Sequence, residues 1–133
     1  MMKKVAIPFM LIFSFLILQR EAYAATINEA DSELCDTLKY ALINSLRKPI
    51  DEAIQKIYEH DELAPEGLTW ASYETDILKI QQANGIGGAY TITLLVKPYY
   101  RAHLTYGEDL VVIREDGKLI SYKHLKTYPN IDF

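Results

Sequence analysis

Cysteine is almost absent: Cys35 stands alone, so no disulfide can form within the chain and the fold must rest on packing. Phenylalanine and methionine are concentrated at the N-terminus, and beyond residue 24 only Phe133 of either type remains. The three histidines, His60, His103 and His124, form no H-x-H or H-x-x-x-H pair, which removes the short-spaced zinc signatures. No glycine loop is arranged to cradle phosphate, because Gly85, Gly87 and Gly88 lie between two apolar alternating runs where a turn suffices. No serine sits in a nucleophile-elbow context. Repeats and low-complexity tracts are missing as well.

What is present begins with an export signal. Lys3 and Lys4 precede an apolar run over residues 5–18, shorter than the roughly 20 residues of a membrane span. Polar residues 19–21 and the small-x-small end Ala22-Tyr23-Ala24 follow, so residues 1–24 read as a signal peptide. Residues 25–133 then form one domain acting outside the cytoplasm, with no transmembrane span after cleavage. Losing Lys3, Lys4, Arg20 and Glu21 turns 14 basic and 18 acidic residues into 11 and 17, a net of −6. Residues 25–76 hold 12 acids and 4 bases, whereas residues 77–133 hold 5 and 7. An acidic chain without a basic cluster offers no electrostatic footprint for nucleic acid.

Asp31 and Ser32 suit an N-cap, and Leu34, Leu38, Ala41, Leu42 and Ser45 share one helical stripe. Cys35 stands at helical spacing from Leu38 and Leu42, which predicts a buried structural thiol. After Pro49 the stripe becomes Ile50, Ala53, Ile54 and Ile57, rotated from the first, so the helical segment is expected to kink or restart at Pro49. A loop over residues 59–69 leads into a run of period two. The first strand is expected over residues 75–80, and Tyr90, Ile92, Leu94 and Val96 line one side of a second. A loop over residues 99–109 follows, then strands 110–114 and 119–126 around Asp116-Gly117, which is expected at the centre of a tight hairpin turn with positive φ. Helices first and strands after predict an α+β fold, helices on one face of a four-stranded antiparallel sheet, cystatin-like in outline.

Several residues also carry a resemblance: Trp70, Ile77-Leu78-Lys79-Ile80, Ala102-His103, Tyr106-Gly107, Asp109 and Tyr122-Lys123-His124. In these the chain resembles short secreted proteins of Gram-positive bacilli grouped as a domain family of unknown function. The resemblance implies a fold and an export route and no activity. Where the family pattern has Gly before Ala-His and a Pro pair before Tyr-Gly, this chain has Arg101 and Leu104-Thr105.

Two function classes follow. Tyrosine is abundant where phenylalanine is scarce, and a ring with a polar tip suits a half-wet surface. Tyr99, Tyr100, His103 and Tyr106 are therefore the candidate binding residues of a non-catalytic module for an extracellular protein or cell-wall polymer, with no cofactor. The alternative is a small metal-dependent hydrolase using His103, Asp109 and His124, the last two facing each other across the final hairpin. An inhibitor of a secreted hydrolase is a third possibility that the sequence does not separate from the first.

Overall fold

The computed structural model describes residues 33–131. The export segment 1–24, its cleavage site and the N-cap residues Asp31 and Ser32 lie outside the described residues. Helix α1 spans Glu33–Ser45 and α2 spans Arg47–Tyr58, separated at Leu46. The break falls three residues before Pro49. Pro49 has no N–H for the carbonyl of Ser45, the last residue of the first helix, and its ring crowds that carbonyl. Within α2, Pro49 lies in the first turn, where a missing donor costs nothing.

The burial pattern corrects the first expected stripe and bears out the second, with Ile50, Ala53 and Ile54 buried and Ile57 packed against the core. Leu34 and Leu38 are 67% and 58% exposed, and Ala41 and Ser45 also face out. Cys35 and Leu42 are only half-buried. In place of the first stripe the core takes Ile43 and Leu46, in line with Ile50, Ala53 and Ile54 of the second. This stripe runs in phase through the break, so the burial pattern does not change phase at Pro49.

After a short 3₁₀ turn, Ser72–Glu74, the strands follow: β1 Asp76–Gln82, β2 Tyr90–Val96, β3 Tyr99–Tyr100, β4 Leu104–Thr105, β5 Gly107–Arg114 and β6 Leu119–Thr127. Four form one sheet in the order β1-β2-β5-β6, with every neighbour antiparallel. Ile92, Leu94 and Val96 of β2 and Val111 and Ile113 of β5 point toward the helices and bury completely or nearly so. A bulge at Leu78 breaks the expected alternation of β1, bringing Ile77 and Ile80 to the same face opposite Leu94 and Ile92. The opposite face, with Thr91, Thr93, Leu95, Leu110 and Val112, is half-exposed.

The loop expected over residues 99–109 is largely strand. β3 and β4 make a small hairpin of their own, and β5 already begins at Gly107. Ladder hydrogen bonds between Thr69 and Tyr99 tie that hairpin to the preceding loop. The final turn also differs in detail. The Gly117 N–H donates to the Arg114 carbonyl, so Glu115 and Asp116 are central, and only Gly117 has positive φ, 84°. No helix among the described residues is long and apolar enough to cross a membrane.

Candidate functional site

The β3–β4 hairpin turns over three residues. Arg101 and His103 both adopt left-handed backbone, with φ of 48° and 59°. The His103 N–H donates to the Arg101 carbonyl across Ala102 at 3.0 Å. A left-handed residue with a Cβ costs about 1–2 kcal/mol, so two in three residues make a strained tip. The strain sets His103 over the Tyr99 ring, centroids 4.6 Å apart and planes 35° apart. The Tyr73 hydroxyl meets His103 Nδ1 at 3.2 Å from the side. His103 and Arg101 are exposed, Tyr73 is 59% exposed and Tyr99 is half-buried.

Tyr100 and Tyr106 do not join this surface. They are 5% and 2% exposed and belong to the core, contrary to the expectation that both would line a wet face. Alternation in so short a hairpin sends Tyr100 inward when Tyr99 faces out. The Tyr100 hydroxyl accepts the Ile131 N–H at 3.2 Å, and the Tyr106 hydroxyl donates to Asp61 Oδ2 at 2.8 Å. Burial first, and then Asp61, push the Tyr106 phenol up to about 12. Tyr73 is the surface residue that sequence reasoning missed, because it lies in the 3₁₀ turn far from the hairpin in sequence.

The second constellation lies between the layers. Asp109 is fully buried and pairs with His124 across β5 and β6, as the hairpin register implied. Its Oδ1 stands 2.7 Å from His124 Nδ1, and its Oδ2 accepts the Tyr58 hydroxyl at 2.8 Å. With the carboxylate ionised, Nδ1 carries the proton toward Asp109, and Nε2 shares a hydrogen bond with Thr127 Oγ1 at 2.7 Å. Residues three apart on a regular strand face opposite ways. A bulge at Leu125, between the pairs Glu108–Lys126 and Asp109–His124, puts His124 and Thr127 on one face. Opposite Thr127 is Gly107, where a Cβ would lie 2.1 Å from the Tyr58 hydroxyl, so the missing side chain admits the phenol. Burial raises the Asp109 carboxyl above its ordinary range, and the His124 and Tyr58 hydrogen bonds draw it part of the way back. The same burial, with Asp109 beside it, raises the Tyr58 phenol far above its usual value.

The residues of the alternative metal site are therefore divided. Asp109 and His124 are in contact, while His103 is engaged with Tyr73 and Tyr99 on the hairpin tip. Among the described residues no group of three or more His, Cys, Asp or Glu side chains stands where it could hold a metal.

Neither the curated proteins nor the solved structures include a match to this chain. A family match covers residues 38–126, from the middle of α1 to the end of the last strand and including Tyr58, Trp70, His103, Asp109 and His124, and the chain belongs to that family, described as "Protein of unknown function (DUF3888)".

Proposed function

We propose that the protein is exported, is cleaved after Ala24 and acts outside the cytoplasm as a non-catalytic binding module. The working surface is the tip of the β3–β4 hairpin, with Tyr99, His103 and Tyr73 as its recognition set and Arg101 beside them. One observation carries this reading: two residues with side chains hold left-handed backbone there, and His103 stands exposed beside the 59% exposed Tyr73 and the half-buried Tyr99. Backbone strain that returns no burial is typical of recognition loops. The stacked rings offer rigid, amphipathic contact area at low entropic cost, as in interface anchors. The partner is an extracellular protein or a cell-wall polymer.

The test uses the chain beginning at Ala25, immobilised and exposed separately to culture medium and to purified wall. Tyr99→Ala and His103→Ala should each weaken retention of the partner by about 1–2 kcal/mol. Asp109→Asn, remote from the tip, should leave retention unchanged in the same assay. Equal retention by wild type and both tip variants would remove this surface from the function. N-terminal sequencing of the exported chain checks the cleavage, and a sequence starting at Met1 would refute it.

A further inference from the structure

A groove of about 440 Å³ runs between α2 and the loop that precedes the 3₁₀ turn, and none of its lining residues belongs to the recognition set of the hairpin tip. Its size is that of a small-ligand or peptide site. One wall is a single stripe of α2, Asp51, Ile54, Gln55 and Tyr58, at the i, i+3, i+4, i+7 spacing of one helix face. The facing wall is Ala64, Pro65, Leu68 and Trp70. Ile54 and Gln55 occupy the middle of the α2 stripe, Asp51 begins it, and Glu59 follows its last residue.

The two aspartates are held by neutral donors. Asp51 Oδ1 accepts the Trp70 Nε1–H at 2.7 Å. Asp61 accepts the Leu63 N–H at Oδ1 and the Tyr106 hydroxyl at Oδ2. Neither Asp51 nor Asp61 has an ion-pair partner among the described residues, and Glu59 meets only His60, at 3.3 Å. Arg47, the base at the Asp51 end, lies over the Trp70 ring, 4.6 Å from its centroid. The hydrogen bonds thus orient the aspartates without cancelling their charge. The C-terminus of α2 adds the negative end of its dipole beside Glu59 and Asp61.

Spacing names the occupant. Asp51 and Glu59 are eight residues apart on the helix, about 12 Å at roughly 1.5 Å per residue. An extended chain covers about 13 Å in four residues, with its first, third and fifth side chains on one side. We propose that the groove receives an extended peptide segment of a partner protein. The segment carries two basic side chains four residues apart, which meet Asp51 at one end and Glu59 with Asp61 at the other. An apolar side chain midway packs against Ile54 and Leu68.

Trp70 is the only tryptophan in the sequence, and although it is only 3% exposed its Nε1–H bonds Asp51 at the groove wall, so its fluorescence reports on that carboxylate. The probe is the blocked pentapeptide Lys-Ala-Leu-Ala-Lys, titrated into the chain from Ala25 at low ionic strength. Trp70 emission should shift saturably with this peptide. The shift should be absent with Glu-Ala-Leu-Ala-Glu and much weaker with Lys-Lys-Ala-Leu-Ala, whose charges are adjacent. Asp51→Asn with Asp61→Asn should raise Kd about tenfold or more, the loss expected for charge-assisted contacts. Asparagine can keep the Trp70 and Leu63 bonds, and an unmoved melting temperature checks that it does; the exposed Glu59→Gln serves alone if the pair unfolds. No shift at millimolar peptide, an equal shift with the glutamate peptide, or an unchanged Kd in the variants overturns the proposal. Spermine binding as tightly as the peptide also overturns it, because charge alone would then suffice. Tyr99→Ala should leave the titration unchanged, so this proposal and the hairpin-tip function fail separately.

Discussion

At the residue scale, Gly107 shows how a missing side chain shapes a site. Its φ is not in the left-handed region, so backbone freedom does not explain it. Space does, because the Tyr58 hydroxyl occupies the volume a Cβ would need. Gly107→Ala should therefore push the phenol away from Asp109 and destabilise by about 2 kcal/mol or more, read by urea unfolding. Tyr58→Phe removes one donor from a buried carboxylate and should cost about 1–3 kcal/mol. The double variant should be less damaging than the sum by about 1 kcal/mol, since losing the hydroxyl removes the closest clash and leaves the alanine only the tight contacts with Tyr58 Cζ and the Lys126 carbonyl oxygen, each at 3.2 Å. Simple additivity would mean that the two residues do not compete for one space. The contact of Asp109 with His124 was readable in the sequence, because a hairpin fixes which residues face each other. The Tyr58 partner was not, since nothing along the chain couples a helix end to a strand far beyond it. A tyrosine at the end of the buried stripe was the available signal, because a buried hydroxyl requires a partner.

At the scale of elements, sequence reasoning worked where one local rule acted alone and failed where two competed. The four long strands and the side that β2 buries followed from period two. The small β3–β4 hairpin did not, because its strands are two residues each and its turn uses Arg101 and His103 in place of glycine. The α1 stripe was misread because Leu34 and Leu38 have helical spacing but lie before the point where the helix meets the core. The bulges at Leu78 and Leu125 leave no local signal, yet they decide which side chains share a face. The final turn tests this scale. The Gly117 φ of 84° is outside what a β-branched residue tolerates, although a Cβ there would meet nothing within 4 Å. Gly117→Val should destabilise by about 1 kcal/mol or more through strain alone. Gly117→Asn should cost less, because asparagine enters that region more readily. Equal losses in thermal melts would point to a packing cause instead.

At the scale of the whole molecule, the helices and the sheet are joined by an apolar core that seals in, among the described residues, one fully buried carboxylate, Asp109. Asp109 reaches both layers, accepting from Tyr58 of α2 and from His124 of β6, so its titration affects the joint between them. Its carboxyl is raised in the folded chain chiefly by burial. In the unfolded chain the proton leaves at the ordinary carboxylate value; in the folded chain it leaves at higher pH. Between those points the folded state holds more protons, so raising the pH lowers stability. The contribution from Asp109 is complete below the unfolded value and is lost once pH has risen through the folded one. Asp109→Asn lacks this titration while keeping the shape of the side chain. The stability advantage of wild type over Asp109→Asn should therefore shrink as pH rises from about 3.5 to about 7, measured by urea unfolding at intervals between. The decline should be steeper on a His124→Gln background, because one of the hydrogen bonds that lowers the folded value weakens when the imidazole is replaced. An advantage that grows with pH would mean that the His124 and Tyr58 contacts outweigh burial, with the carboxylate stabilised inside the fold.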